Sequence, residues 1–312
     1  MRSDKKNKAK YEPVESDTVD SDMDSGDELI EDEDLYETND KYSFEVDIID
    51  VKSFRAMVDY LRVTTSTMTW YFDSSGIIGI EEVKLSDTDV IWNCIHLDQD
   101  NLLKLDVKSK LVEGIMEPIP ITISMQSLHK YIPSSGKSKM KMYKNENESS
   151  IHLSFGTSNS HIQQEDSKGS IINETPEDYP EKPLCKIEAS VFFTSCSRIS
   201  SDKTGNVILE ICKNGIILTD NNNEDGTKIS IGDTSEPYGD EEDEEDSRHT
   251  ITLSKKFFKH IKKLKSLTGI FLVKFYYTPK SPLLIQIPIG TMGHIQIYLK
   301  QNAYEEDDDD ED

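Results

Sequence analysis

SKKFFKHIKKLK at 254–265 and SPLLIQIPIGTMGHIQIYLK at 281–300 decide how this chain is to be read. In the first stretch Phe257, Phe258, Ile261 and Leu264 recur at helical spacing and predict one apolar stripe. Lys255, Lys256, Lys259, Lys262, Lys263 and Lys265 take the remaining directions, so six lysines are expected on the outside of one helix. In the second stretch apolar residues alternate on either side of a turn, which predicts two paired strands. A helix this basic suits a surface that faces phosphates.

The rest of the chain is acidic, but unevenly so. The formal charge is −25 over 312 residues. Residues 1–40 hold fifteen Asp/Glu against five Lys/Arg, 236–246 hold eight acids, and 305–312 hold eight more. Those three runs account for the whole imbalance, and the remainder is near neutral and free to sort its charges by face. The runs have too few apolar groups to offset the entropy of ordering them and read as solvated segments able to screen a basic surface. Arg2, Lys5, Lys6, Lys8 and Lys10 form a small basic cluster of the kind used in nuclear targeting. No apolar run is long enough for a membrane span, and no signal-peptide pattern is present.

Working outward, the two halves share one grammar. FEVDIIDVKSFRAMVDYLRVT reads as a strand entering a helix with Phe54, Met57, Val58 and Leu61 as its apolar stripe. TMTWYFD, Ser74-Ser75-Gly76 and IIGIEE read as a hairpin, followed by strands near 90–97 and 102–107. A short helix, SMQSLHKYI, then precedes a hairpin of KMKMYK and SIHLSF. In the second half, ASVFFTSCSRI is helical, VILEIC and GIILTD pair through Lys213-Asn214-Gly215, and KISIG adds a strand. ITL leads into the lysine helix, and a hairpin turns across Thr278-Pro279-Lys280. WYFDSSGIIGI resembles LEICKNGIILT, and in each half a second helix precedes a closing hairpin. A duplication this long implies two copies of one α+β unit.

The ordered set Pro282, Leu283, Met292, Gly293, His294, Tyr298 and Leu299, ahead of the acidic terminus, resembles the end of the eukaryotic and archaeal DNA sliding clamps, the proliferating cell nuclear antigen family. The resemblance spans about residues 42–304, and its divergences suggest a distant member, from a protist or a large DNA virus. It implies an α+β clamp fold: two similar domains, each with antiparallel sheets outside and two helices inside, joined into a trimeric ring. The expected organisation is an acidic tail at 1–41, a first domain at 42–160, a connector at 161–183, a second domain at 184–304 with an acidic loop at 234–248, and an acidic tail at 305–312. The implied function is a polymerase processivity factor that encircles duplex DNA without reading its sequence. The implied partners are a DNA polymerase, a clamp loader and two further copies of the chain, in the nucleus or at a site of viral replication. A clamp-fold subunit with a checkpoint or transcription role remains an alternative. So does a non-ring acidic adaptor or histone-binding protein.

Site residues follow from both lines. Basic residues off the apolar stripes are the candidates to face DNA: Lys52, Arg55 and Arg62 on the first helix, Lys130 on the second, Arg198 on the third, and Lys256, Lys259 and Lys263 on the fourth. The resemblance implies a partner-peptide groove at Leu85, Val90, Ile171, Ile172, Pro282, Leu283, Tyr298 and Leu299. It also implies joining edges near residues 227–231 and 154–160. Motifs for catalysis are missing from the sequence: no G-x-x-x-x-G-K-[ST], no G-x-G-x-x-G, no H-E-x-x-H. SSGKSK at 134–139 lacks the upstream glycine of a phosphate loop and falls between a helix and a hairpin. The seven histidines lack metal-ligand spacing, and Cys94, Cys185, Cys196 and Cys212 lack any C-x-x-C, so they read as buried free thiols. The expectation is a binding protein without cofactor or metal, not an enzyme.

Overall fold

Strand β1 (Tyr42–Ile48) buries Phe44, Val46 and Ile48 on one face and runs straight into helix α1 (Val51–Thr64). Asp50 starts that helix, its carboxylate accepting from the Ser53 amide at 3.0 Å, which satisfies one of the free N–H groups of the first turn. The computed structural model describes residues 42–85, 89–112, 114–134, 139–166, 179–201, 204–220, 226–235, 249–267, 271–278 and 281–301. These lie in one compact unit, 41–312, and residues 1–40 lie outside the described residues.

The first half continues with β2 (Thr67–Asp73), β3 (Gly76–Lys84), β4 (Asp89–Asp98), β5 (Lys104–Val107), β6 (Lys110–Val112), β7 (Ile115–Glu117), β8 (Ile119–Ser124), α2 (Met125–Tyr131), β9 (Met140–Asn145), β10 (Ser150–Phe155) and β11 (Ser158–Gln163). The second half runs β12 (Cys185–Glu188), α3 (Ala189–Ile199), β13 (Asn206–Cys212), β14 (Asn214–Asp220), β15 (Lys228–Asp233), β16 (His249–Ser254), α4 (Lys255–Ile261), a 3₁₀ turn (Lys262–Ser266), β17 (Leu272–Tyr276), β18 (Leu283–Ile289) and β19 (Gly293–Gln301). The molecule is therefore mixed α+β with antiparallel sheets and few helices. The order strand–helix–strands–helix–three strands recurs in both halves. Even the first hairpins match: Asp73 pairs with Gly76 across two residues, and Cys212 pairs with Gly215 across two.

Sheet order shows how the halves are joined. An eight-stranded sheet runs β12-β17-β18-β19-β4-β3-β2-β8, so β19 of the second half pairs with β4 of the first over nine residues. A five-stranded sheet, β11-β10-β9-β1-β5, belongs to the first half, and a four-stranded sheet, β15-β14-β13-β16, to the second. The Met292-Gly293-His294 turn has a packing reason. Gly293 has φ +153°, and a Cβ there would fall within the van der Waals radius of the His96 carbonyl oxygen, so only glycine lets β19 approach β4. Gly290, at φ +55°, lies against Asp50 and Ser53, which brings the β18–β19 turn onto the start of α1.

All four helices lie over the core face of these sheets. Phe54, Met57, Val58 and Leu61 of α1 are at most 1% exposed, as are Phe257, Phe258, Ile261 and Leu264, so both apolar stripes are where their spacing puts them. Tyr60 donates its hydroxyl to Asn93 Oδ1 at 2.7 Å and ties α1 to the centre of the long sheet. Helix α1 packs against α2 on one side and against α4 with its 3₁₀ turn on the other, and α4 packs against α3. The layer order is thus α2-α1-α4-α3.

Three differences from the sequence reading concern the first half. Between residue 107 and α2 the pattern predicts no strand, yet β6, β7 and β8 lie there. Only β8 carries a run of core residues, Ile121 and Ile123, and β6–β7 is a separate hairpin exposing Leu111 and Met116. Strand β11 extends to Gln163, so the first-half sheet takes three residues expected of the connector. The edge of that sheet is β11, and residues 154–155 belong to β10, inside the sheet, with Ser154 paired on both sides.

Candidate functional site

The solvent side of the helical layer holds an excess of one charge. Across α1, α2, α3, α4 and the 3₁₀ turn there are eleven Lys/Arg and one carboxylate, Asp59. In a chain of −25 this segregation is far from the average and gives the layer a positive field.

Not all of those bases are available. Arg55 donates its guanidinium to the carbonyls of His129, at 3.3 Å, and Ile132, closing the C-terminus of α2. Arg62 pairs with Asp59 at 2.6 Å, and His129 lies 3.4 Å from the same carboxylate. Burial, with Arg55 and Arg62 beside it, lowers the His129 pKa below its ordinary value. Arg55 therefore joins α1 to α2, whereas Arg62 is paired within α1 to the carboxylate that faces His129, so both of these expected DNA-facing residues already have partners in the chain. Lys255 is also not on the outside: it is 2% exposed and bonds Asp220, itself 5% exposed, at 2.7 Å. A lysine at the first helical position reaches Asp220 at the end of β14, which helical periodicity alone cannot show.

What remains is sharper. Lys52, Lys130, Arg198, Lys256, Lys259 and Lys263 are exposed, and among the described residues none of them is in an ion pair. Lys130 lies 5.1 Å from the centre of the Tyr131 ring. Lys256, Lys259 and Lys263 converge on His260, whose pKa is lowered by burial and then by these three ammonium groups. The cluster sits on α4, in the middle of the layer, while α3 contributes only Arg198 beside an exposed Val191.

The opposite face of the long sheet is apolar where the two halves meet. Glu82, Trp92, Tyr298, Leu284 and Tyr276 form one row across five strands, in register from β3 to β17. Tyr179 covers it, its ring 5.9 Å from that of Tyr298 and its hydroxyl donating to the Pro282 carbonyl at 2.6 Å. Trp92 donates its indole N–H to Glu82 at 2.9 Å. Ile78, Ile80 and Cys94 extend the patch.

This row revises the groove expected from sequence. Pro282 and Tyr298 belong to it, and Val90 is on the same side of β4 as Trp92. Leu283 and Leu299 do not: each is 1% exposed and in the main core, because alternate residues of a strand point to opposite faces. Leu85 packs against that same core. Ile171 and Ile172 lie outside the described residues. Trp92, Tyr179, Tyr276 and Leu284 were missed. Strict alternation along LLIQI and from Val90 along VIWNC would have found two of them, Leu284 and Trp92.

Two strands have an open edge of interest: β11 at the end of the five-stranded sheet and β15 at the end of the four-stranded one. On β15, Ile229 is 8% and Ile231 5% exposed, facing the core, with Lys228, Ser230 and Gly232 between them.

All four cysteines are buried and free. Among the described residues no group of three or more His, Cys, Asp or Glu could hold a metal ion, and no helix is long and apolar enough to cross a membrane. Comparison with family models gives no match, and comparison with curated proteins gives none either.

Proposed function

We propose that this chain is a DNA sliding clamp, a homotrimeric ring that encloses duplex DNA and tethers a polymerase. The observation that carries the proposal is the sorting of charge: eleven bases against one acid on the helical layer of a strongly acidic chain. Lysines on flexible stems bind phosphates without reading bases, as sliding requires. The free cations Lys52, Lys130, Arg198, Lys256, Lys259 and Lys263 would line the inner wall. The repeated order of elements supports a ring of six similar units, and the open edges β11 and β15 support closure by strand pairing between copies. The row from Trp92 to Tyr276 supports a docking site for a peptide with aromatic anchors, from a polymerase or another replication or repair protein.

Once such a ring is closed, dissociation requires an interface to open. Weak and salt-screened contacts then suffice for sliding. Light scattering on the purified chain tests the assembly: the expected mass is that of three copies. Ile229→Pro removes a donor and bends β15, and its expected product is a monomer with intact secondary structure. A wild-type monomer would remove the ring, and a trimeric variant would move the interface elsewhere.

A further inference from the structure

On the fourth helix, Lys256, Lys259, His260 and Lys263 fall at i, i+3, i+4 and i+7, a spacing that puts them in one sector of the surface. The 3₁₀ turn that begins at Lys262 winds more tightly than an α-helix, which brings residues three apart toward eclipse and so draws Lys263 toward His260. His260 is half-buried between lysines that are themselves exposed. Its neighbours hold it in the neutral form: burial first, then Lys259, Lys256 and Lys263, lower its pKa below the ordinary value of 6.5.

Charged groups on the surrounding elements do nothing to reverse this. Helix α1 offers Asp59, already committed to Arg62 at 2.6 Å, and α3 offers Arg198. The 3₁₀ turn adds Lys262 and Lys265, and β16 has only His249, at its far end. Each of the other histidines with a lowered pKa has a carboxylate acting on it: Asp59 on His129, and Asp98 on both His96 and His294. Among the described residues His260 is opposed by cations alone. No carboxylate among the described residues supplies a counter-charge for its proton.

We propose that His260 is a fourth phosphate ligand of this face, taking up a proton when a phosphodiester docks among Lys256, Lys259 and Lys263, so that the grip on duplex DNA is proton-linked. The inference rests on the clamp reading for its ligand. A phosphate among the lysines offsets the fields that keep the imidazole neutral and supplies an acceptor for its N–H. The pKa of His260 is then higher in the complex than in the free protein. Affinity is gained as pH falls through the complex's pKa and is lost again above it, which is the opposite of a lysine-only surface, flat across this range.

The test measures binding of duplex DNA to the full chain from about 50 to 200 mM salt, at about pH 6 and about pH 8. For the wild type, the slope of log K against log salt is expected to be steeper at the lower pH by ~0.9 for each imidazole that becomes a contact. His260→Gln should abolish the pH dependence of the slope. His260→Lys should give the steep slope at both pH values, a result that a packing role for the ring does not produce. Calorimetry in two buffers of different ionisation enthalpy should detect proton uptake by the wild type and none by His260→Gln. A wild-type slope independent of pH, or proton uptake that persists in His260→Gln, overturns the inference and leaves the clamp reading standing. Absence of duplex binding at both pH values, or binding untouched by Lys256→Glu, Lys259→Glu and Lys263→Glu combined, overturns the DNA reading itself and this inference with it.

Discussion

Lys255 and Asp220 form a buried ion pair at the point where β16 becomes the basic helix. Removing one partner leaves the other buried charge without this ion pair, at a cost of about 3–5 kcal/mol, whereas replacing both by apolar residues is far milder. Asp220→Ala should therefore lower the urea midpoint steeply, and Lys255→Met with Asp220→Leu should recover much of the loss. Additive losses in the double variant would contradict a coupled pair. A second residue-scale prediction concerns His96 and His294, cross-strand partners whose rings stack 4.8 Å apart at the junction of the halves. Burial lowers both pKa values, with His96 adding to the effect on His294, which is pushed down to about 4. Asp98 and Lys274 act on His294 in opposite directions, while Gln296 Oε1 accepts from His96 Nε2 at 3.0 Å, and Cys94 Sγ lies 3.1 Å from that nitrogen. Because the folded pKa lies below the unfolded value, the unfolded chain binds more protons. Stability is then fully present above about pH 6.5 and falls as pH drops toward the folded pKa. His294→Asn should flatten that fall in a pH series of denaturation curves, and an unchanged profile would assign the loss to carboxylates. Neither pair was legible in the sequence. Asp220 and Lys255 are 35 residues apart and His96 and His294 nearly 200, and only the register of β19 on β4 brings the histidines together.

At the scale of elements, periodicity was a good guide wherever one face is buried. The α1 and α4 stripes, both first hairpins and the β18–β19 pair are where alternation or helical spacing puts them. It failed where a segment is short or projects from the core, as at β6–β7, and where a polar side chain finds a distant partner, as with Arg55 on the end of α2. The groove shows both outcomes in one strand pair. Tyr298 lies on the face that carries Trp92 and Leu284, while Leu283 and Leu299 point into the main core, a difference of strand parity that position in the chain does not show. The corrected row gives its own prediction. Trp92 is more exposed than Tyr298, so it and Tyr276 are the side chains an incoming aromatic meets. A peptide with one aliphatic and two adjacent aromatic residues should bind the wild type, and Trp92→Ala should weaken it by ~1–3 kcal/mol in calorimetry. Equal affinities would rule out this face.

At the scale of the whole molecule, the distribution of charge and the two open edges lead to the same account. The acidic runs at 1–40, 236–246 and 305–312 lie largely or wholly outside the described residues, and the described helices gather the bases onto one layer. The long sheet crosses from one half to the other, and β11 and β15 lie at open ends of the two shorter sheets. On the proposed clamp reading the chain would hold DNA by closing around it, and the contacts from Lys52, Lys130, Arg198, Lys256, Lys259 and Lys263 would need only be weak. The measurement that tests this most directly is retention on nicked circular DNA against the same DNA linearised, after loading and a wash at moderate salt. Enclosure predicts that the protein stays on the circle and is lost from the free ends of the linear form. Equal retention on both would mean that the chain grips DNA by its surface and that the ring account is wrong.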